Sequence, residues 1–277
     1  GGAVFACNAV LVLLAPAEKA RVSTNSSLGT EFGLLRDQPM WVAALALAER
    51  NANRPAIALC RLTLAWLHVE AMDFHGARDL CEGVDQVVLE ENPLAFFFQR
   101  AVLAKAFVGL NEPQRARQQF DDVMQRLDSD GIMMDYTIYA QLHHCLCEYS
   151  LQVGDIAQAR TSATKLYEYV APAPDRNHLA QAHGLLTRVA LAAGDLEEAK
   201  AELSRALSTL EGADKPLAAW RVYRAGMEVC ESLGEPAEVA RYRARFQDVL
   251  RTLAGNFEPD DPLRSSLLAA LDAPGAR

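Results

Sequence analysis

No part of this chain offers the roughly 20 consecutive apolar residues that a membrane helix requires. The stretch AVFACNAVLVLLA (3–15) is apolar for only 13 residues. It has no basic segment before it, so a signal peptide is not expected either. Positive charge is also in deficit: 27 Lys and Arg stand against 36 Asp and Glu, a net charge of −9. That balance counts against nucleic acid or an anionic membrane as partner of this fragment, because phosphate attraction needs clustered Lys and Arg. The sequence has no P-loop, no GxGxxG after a strand, no GxSxG elbow and no HExxH, so no catalytic residue, cofactor or metal is expected. Its six cysteines (7, 60, 81, 145, 147 and 230) form no CxxC pair. Scattered through apolar stretches, they read as reduced core thiols of a cytoplasmic protein. Those thiols argue against the secretion that would make Asn25-Ser-Ser a glycan acceptor. Alternating apolar and polar runs of strand length are missing too. The chain opens on Gly-Gly without an initiator Met, as expected for a fragment of something larger.

What is present is an apolar half, 51% of residues, and one phrase that returns. AMDFHGAR (71–78), LNEPQRAR (110–117), VGDIAQAR (153–160), AGDLEEAK (193–200) and LGEPAEVA (233–240) align on Ala77, Ala116, Ala159, Ala199 and Val239. The intervals are 39, 43, 40 and 40 residues. Five positions before each anchor stand Met72, Asn111, Gly154, Gly194 and Gly234; Gly and Asn close helices in the left-handed conformation, and Met72 departs from that pattern. Next comes always an acid, Asp73, Glu112, Asp155, Asp195 or Glu235, suited to the positive end of a new helix. Pro113 and Pro236 follow at the first helical position. The phrase is therefore a helix stop fused to a helix start. It predicts turns near 72–73, 111–112, 154–155, 194–195 and 234–235, with apolar helical periodicity on both sides, as in 55–71 and 196–210. A single hairpin cannot bury its apolar faces, but stacked hairpins can.

Gly-(Asp/Glu)-x-x-x-Ala, with a small residue twelve positions earlier (Ala65, Ala104, Cys147, Thr187), resembles the tetratricopeptide repeat. The repeat length of about 40 departs from that family's 34. This variant is similar to the C-terminal helical arms of large bacterial signalling ATPases, transcriptional activators and nucleotide cyclases. The resemblance covers roughly 40–253 and implies an all-α, right-handed superhelix of hairpins. The expected organisation is an irregular N-terminal part (1–53), five hairpins (54–253), then a linker and C-terminal cap helix (254–277). Within the first part, 22–33 reads as a loop and 36–53 as one helix capped by Asp37 with Pro39 near its start. In the last part, Leu263, Leu267, Leu268 and Leu271 are expected to cover the final hairpin.

The resemblance also implies a protein or peptide partner, held on the face lined by the first helix of each hairpin. Counting back 18, 15, 11 and 8 residues from the anchors places Leu62, Trp66, Phe98 and Lys105 at one end. Glu148 falls in the third repeat, and Arg188, Arg221, Arg224 and Glu228 at the other end. The first end is apolar and aromatic, the second charged. Two roles are open to Trp66 and Phe98: groove anchors, or packing against residues 1–53. Arg188, Arg221 and Arg224 are expected to be exposed. The expected function is a protein-interaction scaffold within a bacterial signalling or regulatory protein. The alternative is an effector sensor that relays a small molecule to absent ATPase, cyclase or DNA-binding domains. His143, His144, Cys147 and Glu148 share faces at four-residue spacing, yet two competing pairs without a second cluster suit core packing better than zinc. The basic row Arg78, Arg117, Arg160 and Lys200 has acids nearby and reads as a solvated outer surface. The sequence carries no indication of oligomeric state.

Overall fold

The computed structural model describes Leu35, residues 37–130 and residues 136–271, with side chains throughout except 127–130 and 136–138. The apolar stretch 3–15, the expected loop 22–33, Cys7 and Asn25 lie outside the described residues. Among the described residues there are thirteen helices and no strand. They are α1 (Gln38–Arg50), α2 (Arg54–Glu70), α3 (Phe74–Glu82), α4 (Gln86–Glu91), α5 (Pro93–Gly109), α6 (Pro113–Asp130) and α7 (Tyr136–Gln152). Then follow α8 (Ile156–Val170), α9 (Arg176–Ala192), α10 (Leu196–Leu210), α11 (Pro216–Leu233), α12 (Pro236–Ala254) and α13 (Pro262–Ala269). The five expected turns join α2 to α3, α5 to α6, α7 to α8, α9 to α10 and α11 to α12.

Each turn is built from the same few atoms. The residue before the acid takes a left-handed backbone: φ is 78° at Gly154, 80° at Gly194 and 70° at Gly234. Asn111 at 58° and even Met72 at 62° do the same despite their side chains. The amide of the following acid then reaches back to the carbonyl five residues earlier, Asp73 to His68, Glu112 to Phe107, Asp155 to Ser150, Asp195 to Ala190 and Glu235 to Cys230, at 2.8–3.0 Å. This bond closes the outgoing helix as a Schellman motif. The aspartate carboxylates work in the other direction, accepting the amides of Gly76, Gln158 and Glu198 at 2.9–3.1 Å and so capping the incoming helix. One aspartate thus ends one helix with its backbone and starts the next with its side chain. Glu235 makes no such side-chain bond.

The α1–α2 connection uses the same device, and the sequence shows no glycine there. Ala52 adopts φ 51°, Asn53 N–H reaches Ala48 O at 3.0 Å, and the Asn53 side chain caps α2 by accepting Ala56 N–H. Asp37 occupies the cap position of α1 but makes no side-chain bond, which corrects its expected role.

The chain divides into two compact units, up to Gln141 and from Leu142 onward. In the first, α2 packs on α1, α3 and α5, and α5 on α3 and α6. In the second, α9 packs on α8, α10 and α11, and α11 on α10 and α12. Close approach at these hairpins depends on small side chains. Ala77, Ala116, Ala159 and Ala199 are fully buried, as are Ala65, Ala104, Cys147 and Thr187 twelve positions earlier. The α2–α3 hairpin departs from the pattern because its second helix ends after nine residues. The Arg61 guanidinium from α2 donates to the Gly83 carbonyl there, and Asp85 restarts the chain by capping α4. At the other end α13 packs on α12 with Leu263 and Leu267 fully buried, while Leu268 stays exposed.

A charged cluster on the first helices as candidate functional site

In the second unit, positions eleven, fifteen or eighteen residues before the anchors supply six polar side chains from α7, α9 and α11: His144, Glu148, Arg188, Arg221, Arg224 and Glu228. Glu148, Arg188 and Glu228 are each 40 residues apart in sequence, so the repeat itself sets them side by side. Arg188 Nε donates to Glu228 Oε2 at 3.0 Å, and its Nη1 lies 3.7 Å from Glu148 Oε1. Arg224 Nη2 lies 3.5 Å from Glu148 Oε1, and its Nε is 3.8 Å from Glu228 Oε1. His144 Nε2 faces Glu148 Oε2 at 3.5 Å. Arg221 is buried, donates to the Leu217 carbonyl at 2.7 Å, and lies over the Trp220 ring at 4.3 Å. The Arg224 guanidinium sits 5.6 Å from the same ring.

Protein surrounds these groups without sealing them. Side-chain exposure is 17% for Glu148, 23% for Arg188, 22% for Arg224 and 33% for Glu228. The expectation that Arg188, Arg221 and Arg224 are exposed is therefore corrected: Arg221 is buried, and less than a quarter of the Arg188 and Arg224 side chains meets solvent. Burial works to raise the Glu148 pKa, but His144, Arg224 and Arg188 hold its carboxyl well below the usual carboxylate range. The two facing arginines respond oppositely. Arg188 is raised, since Glu228 and Glu148 outweigh burial, whereas Arg224 is lowered by burial and by the like charges of Arg188 and Arg221. At Arg188 the carboxylates thus outweigh burial, and at Arg224 burial and the neighbouring arginines outweigh the same two carboxylates.

The aromatic candidates occupy the first unit and are mostly closed. Leu62, Trp66 and Lys105 are buried, and Phe98 is partly buried. Trp66 meets Phe98 edge to face, with centroids 5.8 Å apart. Its Nε1 donates to Glu70 Oε1 at 3.3 Å, and Lys105 Nζ donates to the same oxygen at 2.7 Å and to Gln141 at 3.4 Å. Sequence reasoning missed Glu70, although its place four residues after Trp66 puts both on one helix face. It also missed the buried pair of His183 Nδ1 and Glu202 Oε2, 2.7 Å apart, which ties α9 to α10.

The remaining candidates take structural places. Cys147 sits in the core, where burial pushes its thiol up to about 12, far from the thiolate that binds zinc. Burial, with the charge of Lys165 behind it, pushes His143 down to about 4. No group of three or more His, Cys, Asp and Glu able to hold a metal ion occurs among the described residues. The five described cysteines are all buried and unbridged. The outer basic row is paired: Arg78 with Asp79, Arg117 with Asp121, Arg160 with both oxygens of Glu198, and Lys200 with Glu197. No described helix is long and apolar enough to cross a membrane.

No family model matches the chain, and no curated protein matches it.

Proposed function

We propose that this chain is a protein-interaction module: a tetratricopeptide-like superhelix from a bacterial cytoplasmic signalling or regulatory protein, whose first helices receive a segment of a partner. The architectural half of the reading rests on the recurring turn and on the packing of α2 against α5 and α9 against α11, which sets first helices side by side. The functional half rests chiefly on one observation. Arg188, Arg224, Glu148 and Glu228 form a network on that face whose side chains are still 17–33% exposed. Charges gathered this way are costly to desolvate, and a hydrophobic replacement would serve the fold as well. Positioned charge on an accessible face serves partner choice and register.

The second reading, a sensor for a small effector, draws on the convergence of the same side chains. Small-molecule sites bury most of their ligand in a concave pocket. A row that runs over three helices, with side chains 17–33% exposed, suits a longer ligand better.

The test is selection from a random-peptide display library against the wild-type protein, followed by rebinding to Arg188→Glu. Binders that lose affinity for Arg188→Glu are expected. A set of specific binders indifferent to that change would place the partner surface elsewhere.

A further inference from the structure

The N-terminal edge of the first unit carries an apolar surface that the described helices leave unfilled. We infer, independently of where a partner binds, that the outer face of α1 is the seat of a first helix and that residues 3–15 of this chain supply it.

The repeated turn occurs a sixth time. LRDQPMWV (35–42) sets Asp37 four residues before Trp41, and Trp41 stands 36 residues before Ala77. Trp41 N–H donates to Asp37 O at 3.1 Å, the bond that Ala77, Ala116, Ala159, Ala199 and Val239 make to their own acids at 2.9–3.1 Å. Leu35, just before the turn, is helical and only 1% exposed. α1 is therefore the second helix of a hairpin whose first helix lies upstream of the turn.

Packing shows the same gap. α3 lies between α2 and α5, α10 between α9 and α11, and α12 between α11 and α13. Among the described helices, α1 packs closely on α2 alone. Leu45, four residues after Trp41, stays half-buried where Cys81, Phe120, Ala163 and Leu203 at the same distance from their anchors are buried. Residues 39–48 of α1, PMWVAALALA, include no polar side chain. Pro39, Val42, Ala43 and Ala46 share one helix face and are all exposed, with Met40 beside them. A helix that is apolar all round is a buried helix, and the end of a helical array needs a polar outer face to stay in water.

Residues 3–15 fit that seat by chemistry and reach. Their one polar side chain is Asn8, and they match the 13 residues of α1 in length. Directly before the turn, 22–33 is rich in Ser, Thr, Asn and Gly, which are poorer helix formers. The connection 16–34 spans about 60 Å when extended, against about 20 Å for a 13-residue helix, so 3–15 can return along α1. A segment on the same chain also meets the seat at a far higher effective concentration than a second copy in dilute solution.

The experiment places a nitroxide on Arg50→Cys, at the exposed end of that face, in the 15N-labelled full chain with Cys7→Ala. The five remaining cysteines are buried and escape the label. Amide signals of 3–15 should broaden. Val42→Asp, which puts a charge in the seat, should restore at least half of the lost intensity. Val10→Asp, on the side of the segment opposite Asn8, should do the same without touching α1 or α2, which guards against a folding artefact. A mixture of spin-labelled 14N protein with 15N protein lacking the label should show no broadening. Three results would overturn the inference: signals of 3–15 that stay sharp in the labelled chain, broadening that survives both aspartates, or broadening in the mixture, which would make a second copy the occupant.

Discussion

Exchanging the left-handed residues of two turns measures the backbone strain in the repeated motif. Ala52 holds φ 51° at an exposed site, and Gly194 holds φ 80° with nothing within 4 Å of where a methyl group would stand. Neither position has packing that would confuse an Ala–Gly exchange. A Cβ in this conformation costs about 1–2 kcal/mol. Glycine's greater freedom in the unfolded chain offsets about 0.4–1 kcal/mol of that. Ala52→Gly should then stabilise the protein by about 0.5–1 kcal/mol, and Gly194→Ala should destabilise it by a similar amount. Urea denaturation followed by tryptophan fluorescence and circular dichroism reads both. Trp41 and Trp66 report on the first unit and Trp220 on the second. The slope with denaturant should stay unchanged, since the surface exposed on unfolding is the same. If Ala52→Gly lowers the midpoint, or Gly194→Ala leaves it unmoved, the turns are held by something other than the left-handed cap.

Ala159→Leu and Ala199→Leu should each cost about 1–3 kcal/mol, because a fully buried contact between helices has no room for three more carbons; chemical denaturation indistinguishable from wild type would contradict the anchor assignment. His143, pushed by burial down to about 4, titrates near 6.5 when unfolded. The unfolded chain therefore binds a proton that the folded state refuses, and stability falls as pH drops from about 6.5 toward about 4. His143→Gln should flatten that limb of a urea–pH profile, and an unchanged slope would refute the assignment. If the hairpins form a superhelix, small-angle scattering should give a radius of gyration above the roughly 19 Å of a compact domain of this length; a value at or below that would count against it.

The hairpins were legible in the sequence because their chemistry is local. A left-handed residue, an acid and an anchor fall within six residues, and the Schellman bond and the aspartate cap need nothing from elsewhere. Where the cue was absent, the turn still formed: Ala52 carries no glycine signal, yet Asn53 supplies the cap and Pro55 the helix start. The early end of α3 was not legible, because Arg61 reaches Gly83 from another helix. Counting back from the anchors named the face of each candidate but not its depth. Depth depends on neighbouring hairpins: Phe98 of α5 lies against Trp66 of α2, and Lys105 of α5 pairs with Glu70 of α2. The same holds for the arginines: Arg188 of α9 and Arg224 of α11 both lie against Glu148 of α7.

The most direct test of the account is hydrogen–deuterium exchange of the second unit with and without a display-selected peptide. If the first helices are the binding face, added protection should concentrate in α7, α9 and α11, around Glu148, Arg188 and Arg224, and leave α8, α10 and α12 unchanged. Protection confined to α8, α10 and α12 would contradict it.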